Sequence, residues 1–85
     1  MPRHELLLYY SPTCGYCARV LRFLQESGIT ITMKNVKASS QTHEEFRRAS
    51  GGSQVPCLMV DGKPMLESLD IIDWLKENLT KDDGR

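Results

Sequence analysis

Ser11 and Pro12 separate two segments of different periodicity, and that junction constrains the fold more than any other feature of the chain. Before it, "ELLLYY" is a short apolar and aromatic run, too short for a helix and suited to a buried strand. After it, Val20, Leu21 and Leu24 recur at helical spacing, Arg19, Arg22, Gln25 and Glu26 fill the other face, and Gly28 stops the segment. "ITITMKNV" then alternates β-branched and polar residues with period two, as a strand does. Strand, helix and strand in that order make a βαβ unit, whose crossover is right-handed in nearly every known case. Cys14 and Cys17 therefore stand where the helix of this unit opens.

The rest of the chain reads as a helix followed by a hairpin and a last helix. Thr42 with Glu45 three residues later forms a capping box that opens a short polar helix through "HEEFRRAS". Phe46 is its single large apolar residue, and Gly51 and Gly52 end it. "VPCLMV" is a compact apolar strand, "DGKP" a turn signal and "PMLE" a short return strand. Ser68 is placed to cap a helix whose Leu69, Ile72, Leu75 and Leu79 fall three or four apart and supply core together with Met59 and Met65. "TKDDGR" should fray. No repeat or linker interrupts the order βαβ-α-ββα, so residues 1–85 are expected to form one α/β domain.

Composition excludes several functional classes. Eleven basic and eleven acidic residues cancel, and no run of like charge is long enough to attract nucleic acid or an anionic membrane. The N-terminal apolar run covers only Leu6 to Tyr10 without a small-residue cleavage site, and the chain has no stretch of about 20 apolar residues. A soluble, cytoplasmic protein is expected. Three cysteines are too few to staple a secreted scaffold, so the close pair reads as catalytic or metal-binding. A zinc site needs four ligands, and the other soft candidates, Cys57, His4 and His43, are scattered.

"CGYC" after the first strand, "SQVP" opening the hairpin and "GKPMLES" leading into the last helix are together similar to the pattern of a glutaredoxin. The chain resembles that glutathione-linked branch of the thioredoxin fold over essentially its whole length. The resemblance implies a thioredoxin-like fold with a four-stranded mixed sheet flanked by helices. It also implies a glutathione-dependent thiol-disulfide oxidoreductase acting in electron transport and cell redox homeostasis through a redox-active disulfide. "LESLD" departs from the Gly-Gly and acidic pair usual in glutaredoxins, and its Glu-Ser pair is closer to the thioredoxin-like N-terminal domain of glutathione transferases.

The candidate site follows from these positions. A helix N-terminus carries unpaired N–H groups and positive dipole potential, which favour a thiolate, so Cys14 is the candidate nucleophile. Cys17 lies one turn on, on the same side, and is the candidate resolving cysteine. The resemblance assigns glutathione, as co-substrate, to Tyr16, Val55, Pro56, Glu67 and Ser68. It makes Val55–Pro56 a cis peptide, a form found in only about 5 to 6% of X-Pro bonds. Glu67 would meet the γ-glutamyl ammonium, and Ser68 the γ-glutamyl carboxylate at a helix N-terminus. Arg19, Arg47 and Gln54 are candidates for the glycyl carboxylate, and Cys57 reads as a buried, inert thiol. Partners implied are glutathione and disulfide-containing or glutathionylated proteins and small molecules, with the chain a monomer. No resident metal is expected in that reading. Gly15 in place of the usual proline keeps an alternative open, a [2Fe-2S] carrier or sensor bridging a dimer through Cys14 and glutathione.

Overall fold

The computed structural model describes residues 5–52 and 54–79. Seven elements follow one another as β1 (Leu6–Tyr10), α1 (Gly15–Ser27), β2 (Thr32–Asn35), α2 (Ser40–Ser50), β3 (Cys57–Val60), β4 (Lys63–Met65) and α3 (Ser68–Leu79). The order is the expected βαβ-α-ββα. The sheet runs β2-β1-β3-β4, with β1 parallel to β2 and antiparallel to β3, and β3 antiparallel to β4. This is a mixed four-stranded sheet of the thioredoxin-like class.

Strand alternation builds two cores, one on each face of the sheet. Leu8 and Leu58, opposite one another on β1 and β3, point to the side where Val20 and Leu24 of α1 meet Ile71 and Leu75 of α3. Tyr9 and Cys57, also a cross-strand pair, point to the other side, where Phe46 of α2, Val36 and Met59 complete the cluster. The one large apolar residue of α2 thus packs its ring on Tyr9, with centroids 5.2 Å apart. The Tyr9 hydroxyl donates to Glu45 Oε2 at 2.6 Å, and Lys34 Nζ donates to the same oxygen at 2.7 Å. One carboxylate therefore ties α2 to both β1 and β2. Lys34 and then Tyr9 hold the Glu45 carboxyl below its usual range.

Several boundaries differ from the sequence expectation. The strand in "ITITMKNV" is confined to Thr32–Asn35, because Ile29 and Ile31 turn instead into the α1–α3 core. The capping box at Thr42 is not formed. α2 starts at Ser40, and the Ser39 hydroxyl accepts the Thr42 N–H at 3.1 Å, so Thr42 already lies in the first turn. α3 begins at Ser68 itself, with the Glu67 carbonyl taking the Ile71 N–H at 2.9 Å; Glu67, not Ser68, holds the cap position. The buried stripe of α3 is Ser68, Ile71 and Leu75, with Ile72 half-buried, whereas Leu69 is 60% exposed. The Leu79 side chain and the expected fraying of residues 80–85 lie outside the described residues.

The terminators behave as expected. Gly28 and Gly51 close α1 and α2 in the left-handed region, at φ 75° and 77°. In the hairpin, Asp61 and Gly62 both take positive φ, 52° and 88°, which is the geometry of a type I′ turn. The return strand is Lys63–Met65, one residue earlier than "PMLE", with Pro64 opposite Met59. No described helix is long and apolar enough to cross a membrane.

Two substitutions check this account. Ser39→Ala should lower the stability read from urea unfolding by about 1 kcal/mol, the usual cost of a lost N-cap; a larger loss for Thr42→Ala would restore Thr42 as the cap. Tyr9→Phe keeps the ring packing and removes the bond to Glu45, so it should also cost about 1 kcal/mol without changing the denaturant slope.

Candidate active site

Cys14 follows the end of β1 and caps α1, and its sulfur replaces the hydroxyl that usually occupies this position. Its Sγ accepts the Cys17 N–H at 3.4 Å, and its own N–H goes to the Ser11 carbonyl at 3.2 Å. Partial burial pushes its pKa up, but the Cys17 N–H, the Cys17 thiol and the Tyr16 N–H outweigh this and hold it below the ordinary thiol value. Cys17 is 1% exposed, and its Sγ accepts the Ser11 N–H at 3.4 Å. Burial, with the Cys14 sulfur alongside, pushes Cys17 up to about 11. Ser11 is itself buried, so one residue's backbone holds both the Cys17 sulfur and the Cys14 main chain. The pair is thus unequal: a half-buried sulfur whose pKa is lowered and a fully buried thiol whose pKa is raised.

Cys14 Sγ faces the Val55 carbonyl at 3.8 Å, just before the cis Val55–Pro56 peptide bond. Beside it opens a cleft of about 310 Å³ lined by Tyr16, Gln54, Val55, Pro56, Leu66, Glu67 and Ser68. All five residues assigned to glutathione by resemblance meet there. Tyr16, 64% exposed, forms one wall, and the start of α3 forms the other. Of the three residues considered for a carboxylate, Gln54 lines the cleft. Arg47 lines a separate depression with Arg48 and Gly51, and Arg19 is exposed on α1. Leu66 completes the lining, beyond the residues named as candidates.

The scan of family models matches the chain to "Glutathione S-transferase, N-terminal domain" over residues 8–81, a span that includes every cleft residue and both cysteines of the motif. The chain belongs to that family. Among curated proteins, a probable maleylacetoacetate isomerase 2 of Drosophila melanogaster is 30% identical over 74 residues, 85% of this chain and 33% of its own. An uncharacterized glutaredoxin-like 8.6 kDa protein of a Clostridium pasteurianum rubredoxin operon is 33% identical over 55 residues, 65% of this chain and 73% of its own. Among solved structures, glutathione S-transferase unclassified 2 from Bombyx mori superposes with a TM-score of 0.79 at 27% identity, over 94% of this chain and 38% of its own. This member of the transferase N-terminal-domain family therefore spans about a third of the isomerase it matches and nearly three quarters of the glutaredoxin-like protein.

The remaining sulfur and nitrogen candidates stand apart from the cleft. Cys57 is fully buried with its Sγ 3.8 Å from Met59 Sδ, and burial pushes its thiol up to about 11. His43 packs its ring edge-on to Phe46, and His4 lies outside the described residues. No group of three or more His, Cys, Asp or Glu side chains among the described residues could hold a metal. A [2Fe-2S] cluster would find one cysteine in this chain that is not buried, Cys14, and its other thiolate ligands would have to come from glutathione and a second copy. Sequence reasoning missed Lys37, whose Nζ reaches the Thr13 hydroxyl at 3.3 Å.

Iodoacetamide at pH 7 should label one thiol of the native protein quickly, and peptide mapping should place the label on Cys14. Cys17 and Cys57 should react at comparable rates only on approaching pH 11 or after unfolding. Labelling of Cys17 ahead of Cys14 would reverse the assignment of nucleophile.

Proposed function

We propose that the protein is a glutathione-dependent thiol-disulfide oxidoreductase that reduces disulfides and glutathionylated thiols. One observation carries this reading: at the start of α1 the Cys14 sulfur, its pKa held below the ordinary thiol value, lies 3.8 Å from the carbonyl of Val55, which lines the Tyr16–Ser68 cleft. A thiolate is the nucleophile of disulfide exchange, and a cleft beside it can hold the thiol that must leave or arrive.

In this mechanism the Cys14 thiolate attacks the glutathione sulfur of a glutathionylated substrate. The Cys14–glutathione disulfide forms as the substrate's S–S bond breaks, and the substrate thiolate departs and takes a proton from water. A second glutathione thiolate then attacks the glutathione sulfur of the mixed disulfide, releasing oxidised glutathione and restoring the Cys14 thiolate. Overall the sulfur of the second glutathione is oxidised to the disulfide level, the substrate's disulfide sulfur is reduced to a thiol, and the first glutathione sulfur passes from one disulfide to another. Cys17 offers a second route, closing a disulfide with Cys14 and expelling glutathione. Its burial and high pKa make it the slower resolving group at neutral pH, because only the thiolate attacks. The bound tripeptide would set its γ-glutamyl end against Glu67 and Ser68, where the first N–H groups of α3 favour a carboxylate.

The family match and the Glu67-Ser68 corner favour a second reading, in which the same cleft holds glutathione for transfer to an electrophile. Glutathione-coupled reduction of a glutathionylated peptide separates the two. Cys14→Ser should fall to the uncatalysed rate and Cys17→Ser should keep turnover. Full activity in Cys14→Ser would end the oxidoreductase mechanism, while conjugation of an aromatic halide by a wild type inactive in reduction would favour the transferase reading.

A further inference from the structure

β2 borders the sheet, and its outward side has the pattern of one half of an antiparallel pair. The Val36 N–H runs to the Tyr10 carbonyl at 2.9 Å, so Thr32, Lys34 and Val36 turn their backbone groups toward β1. By alternation Met33 and Asn35 turn theirs outward, where no strand among the described residues meets them. The Asn35 carbonyl already accepts the Ala38 N–H at 3.0 Å. Met33 is therefore the residue of this strand that offers both an N–H and a carbonyl to a neighbour.

The side chains on this border suit contact with a second apolar surface. Met33 is 46% exposed and lines a groove of about 260 Å³ with Leu21 and Leu24 of α1 and with Ile29 and Ile31. Border strands are usually guarded by a charged side chain, most often a lysine. Lys34 is the one charged residue of β2, and Glu45 draws it to the α2 side of the sheet at 2.7 Å. The groove shares no residue with the cleft beside Cys14.

We infer that two copies of this chain associate through β2, antiparallel about a two-fold axis at Met33. A two-fold contact has to be self-complementary, and this one is: the Met33 N–H of each copy meets the Met33 carbonyl of the other. Asn35 then lies opposite Ile31 of the second copy. Thr32 lies opposite Lys34 of the second copy, so no like charges face each other. Residues opposite one another share a face, so the two Met33 side chains meet on the α1 side and join the two grooves into one apolar seam. Equal numbers of acidic and basic residues leave no net charge to hold the copies apart. This dimer takes the place of the monomer expected from the resemblance, and it is independent of the activity assigned to Cys14.

The test uses the whole chain, with a reductant present so that no disulfide links the copies. Concentrations should span about 0.01 to 1 mM, the range in which an interface as small as one strand pair associates. Sedimentation equilibrium should show the mass rising from one chain to two across that range. Amide hydrogen exchange read by NMR should show Met33 and Asn35 protected at the upper concentration and open at the lower, with Lys34 and Val36 protected at both. Met33→Lys sets two ammonium groups directly opposite each other and should weaken association about tenfold, an effect that high salt reduces. Met33→Leu should keep the dimer. A mass of one chain at every concentration overturns the inference and leaves the border to a foreign strand or to solvent. A dimer whose Met33 amide exchanges as fast as in the dilute chain, or one that Met33→Lys leaves intact, overturns it as well. Should Met33→Lys fail to fold, the concentration dependence of Met33 and Asn35 exchange in the wild type decides alone.

Discussion

A helix starting at Gly15 leaves its first N–H groups without partners inside the helix, and the sulfur of Cys14 takes the one from Cys17. This single bond does two jobs that a hydroxyl cap would separate. It satisfies the backbone, and it stabilises negative charge on the atom that has to carry it. The geometry depends on where β1 ends. Ser11 is buried directly after that strand, and its carbonyl and N–H reach Cys14 and Cys17 respectively. β1 in turn is held on both sides, by β2 in parallel and β3 in antiparallel pairing, so the nucleophile hangs from an inner strand of the sheet.

The second half of the chain supplies what the first half lacks. The βαβ unit brings a thiolate to the end of the sheet, and the hairpin unit brings a backbone carbonyl and a helix start to the same end. Because β3 lies beside β1, Val55 arrives opposite Cys14, and the chain after β4 delivers Glu67 and Ser68 to the far wall of the cleft. Tyr16 lines the same cleft. Residues more than 50 positions apart in sequence, from Tyr16 to Ser68, thus face a common space without any long loop being required.

Most of this was legible in the sequence where local chemistry decides the outcome. The break at Ser11-Pro12, the Cys14 and Cys17 spacing, the Asp61-Gly62 turn and the glycine stops each carry their own instruction, and the structure follows them. Legibility failed where several local choices are nearly equivalent. "LDIIDWL" offers apolar residues on most sides of a helix, and only packing against Leu8, Leu58 and α1 selects Ile71 and Leu75 over Leu69. Ser39, Ser40 and Thr42 are all competent caps, and the entry of the chain from β2 selects the first. The place of Lys37 could not be read at all, since it depends on the pairing of Tyr10 with Asn35 and on the turn that follows.

Pro64 has a consequence for how this sheet can grow. The two-residue turn makes Val60 and Lys63 a hydrogen-bonded pair, so Met59 and Pro64 form the next, non-bonded pair, and the Pro64 nitrogen faces away from β3. In a strand as short as β4, that is the one position whose N–H would have been offered to a neighbour, and proline has none. The β4 border is therefore closed to a fifth strand, whereas β2 on the opposite border keeps its outward donors and exposes Met33. Any strand added to this sheet, whether from a partner or from a misfolded copy, has only one side on which to dock.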